Sequence, residues 1–297
     1  MRTVRLHQVD SFTDRRFSGN PAGVVPDADG LTEGEMQAIA REVNASETAF
    51  ILSERSDGAD LRVRYFSPTQ EVPICGHATI AAHFVRRLEG AVPGAVRQMS
   101  GAGIITVETE PPEAGGRIWM TQRPPVFEPP LDSGMRARIA AALGLDAGAL
   151  DPDLPVQVVS TGHSKILAPL RRGTPLTGLA PDEAALTGLS RVIGSNGFYP
   201  FVHHEGVSQA RMFAPAIGIP EDPVTGNAAG PLGAYLVRHG RLLPDADGRA
   251  WLDARQGAEI GRPGQVGVEI RTGAAGTLTV RICGAAVLAF STVLELE

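Results

Sequence analysis

The chain has 297 residues, long for one domain and comfortable for two. Its 43% hydrophobic and 20% charged residues exclude a disordered chain, and no stretch nears the roughly 20 apolar residues of a membrane span. A net charge of −6 and a pI near 5.7 do not favour nucleic acid, which rewards basic patches.

Met1-Arg2-Thr3-Val4-Arg5-Leu6-His7 lacks the apolar core of a signal peptide, so a cytoplasmic protein is expected. Lys165 is the single lysine among 27 basic residues, so any pyridoxal-phosphate chemistry would depend on it. Cys75 and Cys283 do not make a disulfide framework. With no pair of CxxC motifs and no HExxH, a protein-built metal site is not expected. Nor is there a P-loop, a G-x-S-x-G elbow or a convincing dinucleotide fingerprint.

The 35 glycines and 23 prolines punctuate many short segments. Val4–Asp10 reads as a strand. Thr32-Glu33-Gly34-Glu35 is a capping box opening a helix to about Val43. Glu47–Leu52 and Leu61–Phe66 alternate like strands, Ala78–Leu88 has a helical apolar face, and Ile104–Thr109 is another strand. Residues 121–131, rich in proline, read as a linker between a first domain (1–120) and a second (132–285).

Beyond the linker the pattern predicts a helix over Arg136–Leu143 and strands at Val156–Ser160 and Ser164–Pro169. A short helix near Pro181–Leu186 and strands at Gly197–His203 and Ser208–Phe213 follow. A helix runs from about Gly226 to His239, and Glu259–Ile260, Gly267–Arg271, Thr277–Ile282 and Val287–Leu294 read as strands. The last, within 286–297, is a candidate to complete the first domain.

Two segments repeat. Arg64-Tyr65-Phe66-Ser67-Pro68 leads to Glu71-Val72-Pro73-Ile74-Cys75-Gly76-His77-Ala78, and Arg211-Met212-Phe213-Ala214-Pro215 leads to Glu221-Asp222-Pro223-Val224-Thr225-Gly226-Asn227-Ala228. Each is a strand, an E-x-P turn and a small-residue entry into a helix. The repetition points to two half-chains of similar topology facing across a cleft. Glycine at a helix start admits close approach, and unpaired first-turn N–H groups with the positive dipole end attract an anion. Two such ends suit an acidic small molecule.

Glu47 sits where a helix gives way to an apolar strand and shares a face with Ala49 and Ile51. One reading is a desolvated carboxylate with a raised pKa, suited to proton transfer. The other is a rim glutamate in water. His77 and Asp222 lie in the repeated loops, the first suited to hold a carboxylate or relay a proton, the second to orient a substrate or balance His77. Their plain alternatives are backbone bonding and an answer to the helix dipole. Cys75, beside a helix start, suits a base or nucleophile, but its counterpart is Thr225, and Cys283 reads as a buried small hydrophobe.

Phe17-Ser18-Gly19-Asn20-Pro21-Ala22-Gly23-Val24-Val25, Ser46-Glu47-Thr48-Ala49-Phe50, Cys75-Gly76-His77-Ala78-Thr79, Glu221 to Ala228 and Gln256 to Pro263 occur in this order. Together, over nearly the whole chain, they resemble the PhzF-like family of phenazine-biosynthesis isomerases. The resemblance implies an α/β (α+β) fold of the diaminopimelate epimerase type. It has two pseudo-symmetric domains, each a curved, mostly antiparallel sheet around a central helix, here Gly76–Leu88 and Gly226–His239. It carries the acid/base glutamate to Glu47 and its supporting residues to His77 and Asp222. Asn20, Ser46, Gly76, Thr225, Gly226 and Asn227 would line the pocket. It also implies catalysis without cofactor or metal, a small carboxylate substrate, no nucleic-acid or membrane partner, and a homodimer. The chain departs from the phenazine enzyme at Asn227, where that enzyme has serine, at Cys75, where it has a small non-thiol residue, and at Gly264, where the family often has serine. The expected activity is a cofactor-independent isomerase. Alternatives are a racemase or epimerase using Cys75, and a non-catalytic binding protein of the same fold.

Overall fold

The computed structural model describes residues 2–53 and 58–296. The chain divides into two compact units, one of Met1–Thr121 with Cys283–Glu297, the other of Gln122–Ile282. The last residue of the strand expected within 286–297 lies outside the described residues.

In the first unit, β1 (Arg2–Ser11) and β2 (Asn20–Val25) precede α1 (Glu33–Val43), followed by β3 (Glu47–Leu52) and β4 (Leu61–Phe66). The two-residue β5 (Glu71–Val72) leads into α2 (Gly76–Leu88), then β6 (Gly94–Ser100), β7 (Gly103–Thr109) and β8 (Ile118–Thr121). The capping box expected at Thr32 forms: Thr32 N–H donates to Glu35 Oε2 at 2.7 Å, and Glu35 N–H to the Thr32 hydroxyl at 3.3 Å. Asn44, left-handed at φ 52°, ends α1 and turns the chain into β3.

In the second unit, β9 (Val126–Pro130), α3 (Ser133–Ala142), β10 (Gln157–Ser160) and β11 (Ser164–Pro169) precede α4 (Glu183–Ile193). Then come β12 (Phe198–His204), β13 (Val207–Ala210), α5 (Gly226–Arg238), β14 (Arg249–Gln256), β15 (Gly264–Thr272) and β16 (Leu278–Gly284). The chain closes with β17 (Ala286–Leu296), which pairs antiparallel with β1 along its length and belongs to the first unit.

The repeat in the sequence is a repeat in topology. β1 pairs antiparallel with β2, β2 parallel with β3, β3 antiparallel with β4, β4 parallel with β6, and β6 antiparallel with β7. The same alternation runs through β10, β11, β12, β13, β14 and β15. In each unit one parallel crossover carries a flanking helix (α1, α4) and the next carries the central one (α2, α5). The central helices are buried nearly all round in their first halves, because the curved sheet wraps them. Ala78, Ala81, Ala82 and Val85 of α2 pack with Val9, Ala22, Val24, Ala49, Ile51, Val63 and Tyr65.

The R-x-F-x-P…E pattern has a physical cause in both units. Arg64 grips Glu71 with two bonds of 2.8 and 2.7 Å, and Arg211 grips Glu221 with two of 2.9 and 2.6 Å. Each guanidinium also lies over the phenylalanine two residues on, 5.1 Å from Phe66 and 4.9 Å from Phe213. The pair staples the strand to the loop that launches the central helix.

The structure departs from the sequence reading in places. The segment read as a linker contains β9, whose prolines sit at an irregular edge pairing with β10, where a missing N–H is tolerated. Ala258–Ile260 is a 3₁₀ turn, not a strand. α4 runs seven residues past the expected end at Leu186, and β2, β6, β8 and β14 were not anticipated. Among the described residues no helix is long and apolar enough to cross a membrane.

The staples differ in burial, and so do their expected costs. Arg211 also donates to the carbonyls of Leu176 and Leu179 at 3.0 and 3.2 Å. Arg211→Ala is therefore expected to lower unfolding free energy by about 3 kcal/mol, and the more exposed Arg64→Ala by about 1 kcal/mol or less. Urea titrations of both variants check this, and equal losses contradict it.

Candidate active site

The β3 face holding Glu47, Ala49 and Ile51 turns towards α2, as the alternation requires: Ala49 and Ile51 join the core around α2, while Phe50 packs with Met36, Ile39 and Phe66 beside α1. Glu47 thus stands at the edge of the α2 core, its side chain 16% exposed. The rim reading of this residue is corrected: Glu47 is not turned to water.

The start of α2 meets it. Glu47 Oε2 lies 3.2 Å from His77 Nε2, and Ser46 Oγ lies 3.2 Å from the same nitrogen. Cys75 Sγ is 3.4 Å from His77 Nδ1, and Ser11 donates to the His77 carbonyl at 2.8 Å. Cys75 occupies the N-cap position in extended conformation and makes no side-chain cap. Asn20 begins β2, the strand beside β3, and is fully buried.

Burial alone pushes the Glu47 carboxyl up, as expected, but the net direction is down. The hydrogen bond and charge of His77, with bonds from Ser46 and Cys75, outweigh desolvation. The expected raised pKa of Glu47 is thereby corrected. Burial opposes the charged form of His77, yet Cys75 and Glu47 hold its pKa well above the usual imidazole range. Burial also pushes the Cys75 thiol up, so at neutral pH the thiol is uncharged and the Glu47 carboxylate is the anion that keeps the proton on His77. Glu47, Cys75 and His77 offer ligand atoms within 4.8 Å of one another, but a divalent ion there would have to displace that proton.

The second unit has its own group at the start of α5. Thr225, the N-cap, gives its hydroxyl to Asp222 Oδ2. Gln256 donates to the Asp222 carbonyl at 2.6 Å and to the Thr225 hydroxyl at 3.1 Å, and accepts from Thr225 N–H at 3.1 Å. Gln122 donates to the Gly226 carbonyl at 3.1 Å. A Cβ on Gly230 would stand 1.9 Å from Gln122 Oε1, so any other residue there would displace the Gln122 amide. Gly226 is buried and Asn227 half-buried. The sequence reading gave no role to Ser11, Gln122 or Gln256. Gln256 opens the motif that runs to Pro263, and the left-handed Gly257 behind it (φ 84°) is its readable signal.

A largely buried, ion-paired carboxylate beside a helix start, on this duplicated fold, marks the candidate site of an isomerase or epimerase. The phenazine biosynthesis-like (PhzC-PhzF) family profile matches residues 9–292, and the chain belongs to that family. An uncharacterised isomerase, YddE, of Escherichia coli O157:H7 is 48% identical over 96% of each chain. The trans-2,3-dihydro-3-hydroxyanthranilate isomerase of Pseudomonas aeruginosa PAO1 is 32% identical over 87% of each chain. A PhzF-family protein of Bacillus anthracis superposes with a TM-score of 0.88 at 32% identity, covering all of both chains. A probable proline racemase of Agrobacterium radiobacter K84, 14% identical with a TM-score of 0.65 over 99% of this chain and 93% of that one, shares the fold alone. The protein is an isomerase of this family.

The lowered Glu47 and raised His77 set opposite pH limits. Glu47's contribution to stability is present above its ordinary value of 4.5 and is lost as pH falls through its lower folded value. His77's is present below its ordinary 6.5 and is lost as pH rises through its higher folded value. Urea unfolding of wild type and Glu47→Gln should therefore differ most between these two ordinary values, with the gap narrowing on either side. A gap independent of pH contradicts the pairing.

Proposed function

We propose that the protein moves a proton between two carbons of a small carboxylate, without a cofactor, with Glu47 as the general acid and base. The observation that carries this reading is the buried Glu47–His77 ion pair at the uncapped start of α2. The name of the P. aeruginosa relative, an isomerase of a hydroxylated dihydroanthranilate, favours an unsaturated carboxylate as substrate.

The substrate carboxylate is received by the first-turn N–H groups of Gly76 and His77. Glu47 takes a proton from a substrate carbon, and the electron pair left behind delocalises towards the carboxylate. Glu47, now neutral, returns the proton to a second carbon, restoring its own charge. A carboxylate held low is a reluctant base. The reluctance is offset because abstraction transfers negative charge to the substrate while His77 stays cationic beside it. Ser46 steadies His77 through its 3.2 Å contact, and Asn20 borders the pocket. In the second unit Thr225 and Gln256 hold Asp222, and the roles that the family resemblance carries to Asp222 and to the Thr225–Gly226–Asn227 turn are to orient a polar group and to face an anion. The buried, protonated Cys75 thiol disfavours the racemase alternative.

The test is turnover of trans-2,3-dihydro-3-hydroxyanthranilate and of small unsaturated carboxylates, followed in heavy water. Glu47→Gln is expected to lower kcat by about a thousandfold, with loss of solvent deuterium in the product. Cys75→Ala is expected to keep activity within about tenfold, since no covalent role is assigned to it. Undiminished activity of Glu47→Gln overturns the reading.

A further inference from the structure

Polar groups run through the apolar interior of the first unit in one hydrogen-bonded line. His83 Nε2 lies 2.9 Å from Gln98 Oε1, and Gln98 Nε2 donates to the Tyr65 hydroxyl at 2.7 Å. The Tyr65 and Thr79 hydroxyls are 2.6 Å apart, and the Thr79 hydroxyl donates to the Cys75 carbonyl at 2.6 Å. All four side chains are 1% exposed or less.

The direction of the line is fixed by its end. A carbonyl only accepts, so Thr79 gives its proton to Cys75 and takes one from Tyr65. Tyr65 in turn accepts from the Gln98 amide, and Gln98 Oε1 requires a proton on His83 Nε2. Arg86 Nη1, 3.2 Å from His83 Nδ1, requires a lone pair there and selects the same tautomer. Burial and the Arg86 charge keep His83 neutral, with its pKa lowered to about 4. Every donor points towards the start of α2.

A line that ends on a carbonyl cannot relay a proton. It does polarise the Cys75–Gly76 peptide, since successive hydrogen bonds strengthen one another by roughly 10–30% each. The N–H of that peptide belongs to Gly76, the first residue of α2, for which Cys75 supplies no side-chain cap.

The second unit indicates that the fold does not require such a line. Its sheet repeats the same pairings, but in the duplicated motifs Tyr65 and Thr79 correspond to Met212 and Ala229. Both N-cap carbonyls accept the backbone N–H four residues on, Thr79 at Cys75 and Ala229 at Thr225, each at 3.0 Å, but the second donor at Thr225 is the Ala228 N–H, also at 3.0 Å, in place of a side-chain hydroxyl.

Resting on the reading of the α2 start as the seat of the substrate carboxylate, we propose that Tyr65, Thr79, Gln98 and His83 are positioning residues. They lock the Cys75 carbonyl, sharpen the Gly76 N–H as a donor, and keep His77 seated against Glu47.

The 297-residue chain without substrate suffices for the test. Tyr65→Phe and Thr79→Val each cut the line while keeping shape, and Thr79→Ser restores the hydroxyl. The groups facing His77, namely Glu47 from β3, Cys75 from the α2 N-cap, and the neutral Ser46 and Ser11, are unchanged in all three. NMR of the Gly76 amide and of the His77 ring gives the readout. Both cut variants are expected to shift the Gly76 signal and to lower the pH at which His77 loses its proton by about one unit, a tenfold change. Thr79→Ser is expected to keep both near wild type. A lowered melting temperature with Gly76 and His77 unmoved means packing alone and overturns the proposal. Unfolding of both cut variants also overturns it, since the line is then a folding requirement. Failure of the proton-transfer reading is a separate result, activity retained in Glu47→Gln.

Discussion

A helix whose first half is buried nearly all round still has first-turn N–H groups that need partners. At α2 the N-cap side chain provides no cap, and Glu47 on β3 pairs with His77 of the first turn. Around this unanswered terminus the first unit is organised. Small residues in the first half of α2 let the sheet close around it. The left-handed Asn44 delivers β3 so that its first residue reaches the helix start, and the Arg64–Glu71 staple anchors the loop leading into it.

That Glu47 is buried yet held in the charged form follows from a competition. Desolvation is the largest single influence on the carboxyl, but it is beaten by the sum of His77's bond and charge with the bonds from Ser46 and Cys75. The same burial, with the Glu47 charge beside it, leaves the Cys75 thiol protonated although His77 pulls the other way. Two acidic groups a few ångströms apart thus shift in opposite directions: the imidazolium favours the anion of both, and it prevails over burial only at Glu47.

The sequence made much of this readable where the physics is local. The capping box at Thr32, the period-2 face of Glu47, Ala49 and Ile51, and the repeated R-x-F-x-P…E-x-P motif all correspond to observed contacts. What escaped was non-local. Gln122 precedes a proline pair that reads only as a break, yet its amide reaches across to Gly226. The short strands β2, β6 and β8 carry too little alternation to stand out from turns. β9 hides behind prolines that an irregular sheet edge tolerates. The sign of the Glu47 shift was not readable either, because apolar neighbours along the strand are visible in sequence while a histidine thirty residues on is not.

The two units show how a duplicated architecture is specialised without changing its topology. Both keep the Arg–Glu staple and the buried central helix, since these fix how the strand, loop and helix join. They differ in what holds the carbonyl of the N-cap. Both carbonyls accept the backbone amide four residues on, but the second donor at Cys75 is a side-chain hydroxyl backed by Tyr65, Gln98 and His83, and at Thr225 it is the Ala228 amide, while Gln256 braces the surrounding loop. Burying Tyr65 and Thr79, with Gln98 and His83 behind them, carries a desolvation cost that Met212 and Ala229 avoid at the positions of Tyr65 and Thr79. A cost borne in one copy and avoided in the other does not arise from the fold, and it falls on the copy whose helix start faces the ion pair.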